Sequence, residues 1–354
     1  MEKKIKVALI GAGNIANTHL SSYKKNKSAE IYAICDINES RLNETADIFG
    51  IERRYNSVDK MLAECAGELD AADVCVWNCN HAKCAIAALE AGLNVLCEKP
   101  MAYTAKEAEE MIAAAEKANK LLMIGFVLRF SDEAKISRDF ISKGYIGDVY
   151  YSEANYLRRH GNPGGWFSDK SRSGGGPIID LGVHVIDLTR HLMGNPKPVS
   201  VYAAAYHNLG NRPYLKNEVN WRPKDSNETD ISDVEDFAIA LIRYDNGAVT
   251  KLETSYDYHG EPKGVKKLYG TKGGLDLSNG VKILTECNDY LADINVDTGG
   301  YKYHEEMFDA EINHFVDCVA NGTECMAKAE DGLEVMKILD AIYLSAKTGH
   351  EVIL

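Results

Sequence analysis

The chain has 354 residues, 45% of them hydrophobic, and a formal net charge of −13. This length allows two or three domains with full-sized cores. The negative charge argues against a protein that binds nucleic acid through its phosphates or that docks on an anionic membrane. Met1–Ile10 lacks the pattern of a signal peptide, and no stretch approaches the roughly 18 apolar residues that span a bilayer, so we expect a cytoplasmic protein.

The first 125 residues alternate short apolar runs with stretches of helical periodicity. This alternation is typical of a doubly wound parallel sheet with helices between its strands. The predicted elements are the strands Ile5–Gly11, Glu30–Asp36, Ala72–Asn78, Asn94–Cys97 and Leu121–Gly125, and the helices Ser40–Phe49, His81–Ala91 and Ala105–Ala118.

A glycine motif follows the first predicted strand. Gly11, Gly13 and Ala16 form the pattern Gly-x-Gly-x-x-Ala, which opens a helix. Gly11 permits a tight turn, Gly13 lets the backbone approach a pyrophosphate, and Ala16 lets the helix pack closely on the strand. The N–H groups at the start of the helix then face the phosphates. The pattern predicts a dinucleotide-binding Rossmann domain over residues 1–125.

The second predicted strand ends at Asp36, about 20 residues beyond the glycine motif. A carboxylate at this point accepts hydrogen bonds from the ribose hydroxyls of NAD and repels the 2′-phosphate of NADP. We therefore predict NAD as the cofactor. Arg41 lies close enough in sequence to neutralise a phosphate, so NADP stays open as an alternative.

Glu98-Lys99-Pro100 comes directly after the predicted strand Asn94–Cys97. Ligands of parallel sheets bind at the carboxyl ends of the strands. The ammonium group of Lys99 is therefore expected near the cofactor, where it donates a hydrogen bond to a substrate hydroxyl and stabilises negative charge that develops on the oxygen.

The pattern changes after residue 125, and we predict a second domain over residues 126–354. Its later strands are expected to be antiparallel, because Asp245-Asn246-Gly247 is a hairpin turn signal. Tyr206–Asp233 is polar and aperiodic and predicts a long surface excursion, which is often functional. The predicted elements are the helices Glu133–Lys143, Pro177–Met193, Glu305–Ala320 and Ala329–Thr348, and the strands Asp148–Tyr156, Asp236–Tyr244, Ala248–Tyr256, Leu268–Gly270 and Leu275–Leu277.

A second candidate for chemistry lies in the predicted helix after Gly174-Gly175-Gly176. Asp180 and His184 are four residues apart, which puts them on one face of an α-helix, and Asp187 follows near that face. Charged side chains in so apolar a helix indicate a functional or structural role, because burial of an unpaired charge is costly. A histidine that titrates near neutrality suits a general base for an alcohol proton, while a hydrogen-bonded core histidine is the alternative.

Nine cysteines are present, several of them inside apolar runs, as expected of reduced, buried thiols in a cytosolic protein. Cys75, Cys79 and Cys84 could suggest a metal site. They lack the Cys-x-x-Cys pairs of structural zinc sites, so we predict no metal.

Together these motifs resemble the glucose–fructose oxidoreductase, inositol dehydrogenase and MocA (Gfo/Idh/MocA) family. The carriers are the glycine motif, Ala91–Pro100 and Gly174–Asp187, in an order and spacing that cover essentially the whole chain. The resemblance implies a Rossmann domain followed by an open-faced, largely antiparallel sheet with helices on one face. It also implies homodimers or homotetramers built through that sheet.

The resemblance also implies roles for residues of this chain. Cofactor contacts fall on Gly11, Gly13, Asn14, Ile15, Asp36, Asn78, His81 and Glu98. Lys99, Asp180 and His184 surround the substrate carbinol, and Arg158 and Trp166 lie in a loop like that of sugar- and glycoside-acting members. One departure is that Val76 and Trp77 replace a Thr-Pro that the family often has beside the cofactor.

We therefore expect an oxidoreductase that transfers hydride between a secondary alcohol of a sugar, glycoside or cyclitol and NAD(P). Two alternatives stay open. Some relatives of such proteins use bound NAD in a glycosidase cycle that oxidises the sugar only transiently. Others are non-catalytic regulators that bind the dinucleotide as a signal, for which Lys99, Asp180 and His184 would have no use.

Overall fold

A computed structural model describes residues 4–210, 212, 214–216, 221–223, 226, 231–297 and 304–354. Part of the predicted excursion over residues 206–233 therefore lies outside the described residues. The chain forms two compact units, of which the first comprises Met1–Phe130 and Tyr303–Leu333 and the second Ser131–Lys302 and Glu334–Leu354. No helix of the described residues is both long enough and apolar enough to cross a bilayer.

The first unit contains a six-stranded sheet in the order β3-β2-β1-β4-β5-β6. Every neighbouring pair is parallel, as the alternating pattern predicts. The short edge strand β3 was not predicted, because its three residues carry no apolar run. The strands are β1 (Ile5–Ile10), β2 (Ala29–Cys35), β3 (Arg53–Tyr55), β4 (Ala71–Val74), β5 (Asn94–Glu98) and β6 (Leu122–Gly125).

Helices connect these strands, as parallel pairing requires. Side-chain caps begin several of them, for example Thr104, which accepts a hydrogen bond from the Glu107 N–H. The helices of this half of the chain are α1 (Asn14–Lys25), α2 (Glu39–Phe49), α3 (Val58–Cys65), α4 (His81–Glu90) and α5 (Ala105–Ala118).

The second unit contains a nine-stranded sheet in the order β14-β13-β12-β11-β7-β10-β9-β8-β15. Among the described strands of this sheet, only the pair of β7 and β10 is parallel, and the predicted hairpin joins β9 to β10. The strands are β7 (Val149–Leu157), β8 (Pro198–Tyr206), β9 (Phe237–Tyr244), β10 (Val249–Ser255), β11 (Lys263–Gly270), β12 (Gly274–Asp276), β13 (Lys282–Cys287), β14 (Tyr290–Asn295) and β15 (Val352–Ile353).

The remaining helices are α6 (Asp132–Ser142), α7 (Lys170–Ser173), α8 (Val183–Leu192), α9 (His304–Asn321) and α10 (Ala329–Thr348). One turn of π-helix, Ile178–Gly182, precedes α8. The predicted α-helix over Pro177–Met193 is thus correct in place but not in its first turn.

The compact units are not each continuous in sequence. Residues 303–333 belong to the first unit, although they follow strands β7 to β14 of the second sheet in sequence. The reason is packing of α9 on α1, where the Asp309 carboxylate accepts hydrogen bonds from the Ser22 hydroxyl at 2.7 Å and the Lys25 ammonium at 2.8 Å.

Candidate active site

The glycine loop of the first unit has room for a ligand at one glycine and none at the other. Gly11 has a φ of +102°, and a Cβ there would lie 2.3 Å from the Cys75 carbonyl oxygen. Gly13 has a φ of −76°, and a Cβ there would meet nothing within 4 Å. Packing against the Cys75 backbone therefore requires glycine at position 11. The open space at Gly13 fits the close approach of a pyrophosphate.

Asp36 follows β2 and is bonded to the glycine loop. Its Oδ2 accepts a hydrogen bond from the Ala12 N–H at 2.8 Å, and its Oδ1 accepts one from the Asn38 N–H at 2.7 Å. The carboxylate is thus fixed beside the loop, where a ribose would lie. Asn14 is exposed and Ile15 half-buried in the first turn of α1.

Glu98, the last residue of β5, is bonded to a buried histidine. Glu98 Oε1 lies 3.0 Å from His19 Nε2, and Glu98 Oε2 accepts a hydrogen bond from the Lys99 N–H at 3.0 Å. The other ring nitrogen of His19, Nδ1, lies 2.8 Å from Asp73 Oδ2. Two carboxylates therefore flank one fully buried imidazole, and the ring is bound on both sides. Its bond to Glu98 holds the end of β5, which Lys99 directly follows.

The charge of His19 follows from these neighbours. Burial by itself lowers the pKa of His19, but the Asp73 carboxylate and Cys75 outweigh burial and raise the pKa well above its ordinary value. Glu311 also brings a carboxylate oxygen into this group. The imidazolium form is therefore favoured, as expected where a buried cation lies between anions.

The second unit contributes Asp180 and His184. Asp180 lies in the π-helical turn and His184 in the first turn of α8, and both side chains are half-buried. The helical repeat between these two residues is therefore partly π-helical instead of the expected α-helical one. Such turns are rare and often lie at functional sites. Asp187, by contrast, is buried.

The Asp180 carboxylate interacts with two neighbours. Burial lowers the pKa of Arg158, but Asp180, Tyr156 and Tyr256 together more than offset burial and raise the pKa. Burial and Asp180 together raise the pKa of Tyr256 well above its ordinary value. Arg158 also donates to the hydroxyl of Tyr156 at 3.5 Å and to the Gly161 carbonyl at 3.3 Å, so its guanidinium is oriented from several sides.

The glycine-rich segment before the π turn packs around Glu235. The Glu235 carboxylate accepts hydrogen bonds from the Gly176 N–H at 3.1 Å and the Ile178 N–H at 3.0 Å, and from the Tyr343 hydroxyl at 2.9 Å. A Cβ on Gly175 would lie 1.8 Å from the Tyr343 oxygen. Glu235 therefore caps the start of this helical segment, and the glycines are required by packing.

Arg158 lines a large pocket within the second unit. The pocket has a volume of about 1040 Å³, and its described walls include Tyr156, Arg159 and Trp221. Trp166, predicted to contact substrate, is not among the described lining residues. Its ring centroid lies 3.9 Å from that of Phe167, and Phe167 meets Trp221 edge-on at 5.4 Å. Trp221, which does line the pocket, presents the aromatic surface.

The cysteines proposed as a metal alternative do not form a ligand cluster in the described residues. The groups that could hold an ion there are His314 with Cys318 and Cys325, His19 with Asp73 and Cys75, and His19 with Glu98 and Glu311. Cys75 belongs to one of them, but Cys79 and Cys84 belong to none.

Two family models together match almost the whole chain. Residues 5–126 match the model of an oxidoreductase family with an NAD-binding Rossmann fold, and residues 138–354 match the C-terminal alpha/beta domain of the same family, Gfo/Idh/MocA. The chain belongs to this family. Its first unit is therefore an NAD-binding domain, and the resemblance drawn from the motifs is confirmed.

Individual relatives agree with this assignment. D-glucoside 3-dehydrogenase of Escherichia coli K12 is 32% identical over 359 residues, which cover 98% of this chain and 97% of the relative. Levoglucosan dehydrogenase of Pseudarthrobacter phenanthrenivorans is 26% identical and covers 97% of this chain and 96% of its own length. A solved oxidoreductase domain protein from Kribbella flavida superposes with a TM-score of 0.86 at 24% identity, covering 99% of each chain. The predicted fold class is confirmed.

In this Gfo/Idh/MocA oxidoreductase, His81 is buried between two loops. Its Nδ1 lies 2.7 Å from the Pro100 carbonyl oxygen and its Nε2 3.1 Å from the Val76 carbonyl oxygen. Burial lowers the pKa of His81, so the neutral ring is favoured. Asn78 is buried beside it in sequence. Val76, which replaces the family's threonine, thus contributes to the site through its backbone.

Sequence reasoning missed His19, Asp73 and Glu235. His19 shares the buried face of α1 with Ala16, Leu20 and Tyr23, so a polar residue at that spacing was an available signal. Asp73 lies in the middle of a buried strand and gave a similar signal. Glu235 gave none, because its partners are distant in sequence.

Proposed function

We propose that this protein oxidises a secondary hydroxyl group of a sugar, glycoside or cyclitol with NAD⁺, or catalyses the reverse reduction. One observation carries the proposal: Asp180, in the π turn beside His184, interacts with Arg158, and Arg158 lines a pocket of ligand size. A half-buried acid that interacts with a residue of such a pocket, together with a half-buried histidine four residues later, suits proton transfer to and from a hydroxyl group.

The residues around the glycine loop fit the dinucleotide. Gly13 leaves open space for a pyrophosphate, and the Asp36 carboxylate beside the loop would accept hydrogen bonds from ribose hydroxyls and repel a 2′-phosphate. We therefore favour NAD over NADP. Bound NAD⁺ supplies the acceptor for the hydride, and the remaining steps belong to side chains of this chain.

We assign these roles to three residues. His184 takes the proton of the substrate hydroxyl as general base. Asp180 orients His184 or the substrate. Lys99 donates a hydrogen bond to the same oxygen as negative charge develops on it. The hydrogen bonds from His19 to Glu98 and from Glu98 to the Lys99 N–H hold the backbone of the lysine in position. Asn78, His81 and Glu98 are proposed to shape the cofactor site.

The activities of the relatives support a carbohydrate substrate. The relatives include dehydrogenases of D-glucosides, D-apiose, levoglucosan and myo-inositol. All of these substrates are polyhydroxylated and present secondary hydroxyl groups. The donors of Arg158 and the aromatic surface of Trp221 suit such a ligand, because one binds hydroxyls and the other covers ring C–H groups.

We further propose a homo-oligomer formed through the open face of the second sheet. Exposed apolar side chains lie on neighbouring strands there: Leu241 pairs across β8 and β9 with Tyr202, and Ile239 with Ala204. Tyr202 is 53%, Leu241 47% and Ile239 40% exposed. A patch of this kind is typical of a surface that a symmetry mate covers.

A cytoplasmic location is proposed from the cysteines. All nine are free thiols, and Cys287 is exposed. Unpaired thiols persist in reducing compartments, whereas secreted proteins commonly form disulfides.

A screen for NAD⁺ reduction tests the proposed function. The purified protein is incubated with NAD⁺ and a panel of sugars, glycosides and cyclitols, and NADH is followed by absorbance. NADH that accumulates in proportion to oxidised substrate supports the dehydrogenase. Released aglycone without net NADH would instead indicate a glycosidase cycle. Tight NAD binding with no reaction on any member of the panel would indicate a regulator.

A further inference from the structure

We propose that the pocket of the second unit contains a subsite, built on Trp221, for a second ring attached to the reacting sugar. The substrate would then be a glycoside with a ring-shaped aglycone, either another pyranose or an aryl group, in preference to a free monosaccharide. The inference rests on the proposed function and names the substrate class of the same site.

The size of the pocket is the first argument. Its volume of about 1040 Å³ is at the upper end of the roughly 300–1,000 Å³ typical of small-molecule sites, which enclose drug-sized ligands. A single sugar ring is smaller than such ligands. It would therefore leave much of this pocket filled with water, whereas a glycoside with a second ring would use the space.

The second argument is the position of Trp221. It lines the pocket and keeps 44% of its surface exposed, so aromatic surface is available to a ligand in the pocket. The Phe167 ring meets it edge-on at an interplanar angle of 89°. Phe167 in turn contacts Trp166, with 3.9 Å between the ring centroids, so the indole of Trp221 belongs to a cluster of three aromatic rings.

The third argument is that the structural elements that support Trp221 differ from those that link Asp180 to the pocket. Asp180 reaches the wall through Arg158, which follows β7. Trp221 rests instead on Phe167, in the short helical turn Gly165–Phe167. A reacting ring near Arg158 is thus recognised by one set of groups, and a second ring can be recognised by another.

The described walls also match the chemistry of a glycoside. Leu215 and Pro262 add apolar surface, and Arg159, His259 and Lys263 add exposed donors. Pyranose and aryl rings share an apolar face that stacks on indole, and a pyranose also carries hydroxyls that accept hydrogen bonds. Comparison of the two ring types tells which of them the subsite prefers.

The test compares four forms of whichever sugar reduces NAD⁺: the free sugar, its methyl glycoside, its phenyl glycoside and a disaccharide that contains it. kcat/KM is measured for the wild type, Trp221→Ala and Trp221→Phe. The matched control is Tyr214→Ala, which removes an aromatic ring that is 75% exposed in the same segment but is not among the described pocket residues.

We expect the wild type to prefer the phenyl glycoside or the disaccharide over the free sugar by about tenfold or more. Trp221→Ala should reduce this ratio to that of the methyl glycoside, Trp221→Phe should keep most of it, and Tyr214→Ala should leave it unchanged. A wild type without the preference, or a Trp221→Ala variant with an unaltered ratio, would overturn the proposal.

Failure of the proposed function gives a different result. If no sugar reduces NAD⁺, calorimetric titration of phenyl glucoside, cellobiose and glucose into the wild type and Trp221→Ala still tests the subsite. Tighter binding of the two-ring ligands that is lost in Trp221→Ala supports the subsite alone. Equal affinities of the wild type and Trp221→Ala for the two-ring ligands would contradict the proposed subsite. Thermal unfolding of each variant verifies that the fold is retained.

Discussion

The imidazole of His19 and the carboxylate of Glu98 lie 3.0 Å apart inside the first unit, although 79 residues separate them in sequence. Glu98 precedes Lys99 and accepts a hydrogen bond from its N–H. A residue of the helix that follows the glycine loop is therefore connected by two hydrogen bonds to the backbone of the proposed catalytic lysine. This relationship links the stability of the NAD-binding sheet to the placement of Lys99.

Replacement of His19 by Gln should reduce stability in a pH-dependent way. The pKa of His19 is raised in the folded state, so its contribution is fully present below the unfolded pKa and is lost as pH rises through the folded pKa. Loss of one partner of a buried ion pair costs about 3–5 kcal/mol. Urea unfolding of the wild type and His19→Gln from pH 6 upward measures the difference, which should shrink at alkaline pH.

Ser21→Ala, exposed on the same helix, is the control for the His19 variant and should behave like the wild type. A difference between His19→Gln and the wild type that stays constant over the whole pH range would contradict the charge assignment. His19 would then act only by filling space.

Lys99→Ala and His184→Ala should impair chemistry more than cofactor binding. Loss of one preorganised donor costs about 10²–10³ in kcat, and loss of a general base about 10²–10⁴. The His184→Ala defect should recover partly at high pH, where hydroxide substitutes for the base. Steady-state kinetics and NAD titration separate the two effects.

Exposed residues of the same types serve as controls for these variants. Lys83→Ala and His350→Ala should keep normal turnover. Near-normal turnover of His184→Ala would show that His184 is a core residue and not the base. Abolished NAD binding in both catalytic variants, with the fold intact, would place the two residues at the cofactor instead.

Asp36→Ala should weaken NAD binding by about tenfold or more, because a hydrogen bond to a charged group contributes about 1.5–3 kcal/mol. The same change should improve NADP binding relative to NAD, since it removes the charge that repels a 2′-phosphate. Fluorescence titration with both cofactors measures the ratio. Arg41→Ala tests the alternative that NADP is the cofactor. The NAD preference would be refuted if the wild type bound NADP more tightly than NAD and Arg41→Ala lost this tighter NADP binding.

Leu241→Lys should shift the protein toward the monomer. It places a charge on the open sheet face next to Tyr202, its partner across β8 and β9, and burial of an unpaired charge in an interface is costly. Light scattering after size-exclusion chromatography gives the mass. The control is Lys272→Ala, an exposed position at the β11–β12 turn. A wild type that is already monomeric at micromolar concentration would dismiss the proposed interface.

Local sequence patterns predicted the parallel sheet and the hairpin. Apolar runs that alternate with helical periodicity reflect strands buried on both faces, and the turn after β9 depends on the few residues Asp245–Gly247. The positions of the glycine motif and of Glu98-Lys99-Pro100 could also be predicted, because they follow from where β1 and β5 end.

Several strands gave no such signal. In β14, none of the six residues is buried, so no apolar pattern marks it. β15 has only two residues and forms by pairing with β8. Both strands depend on the partner strand for their hydrogen bonds, and β8, the partner of β15, is too distant in sequence to leave a local trace.

The sequence by itself determined which side chains are available for chemistry: Lys99 at a strand end and Asp180 with His184 in an apolar helix. Only the tertiary structure decided how they are supported. The Glu235 cap on Gly176 and the bonds from His19 to Glu98 join segments far apart in the chain, and the π turn at Asp180 replaces the regular α-helical turn that the local pattern predicts. The physical reason is that a buried polar group must find its partner wherever packing supplies one, and packing is a property of the whole fold.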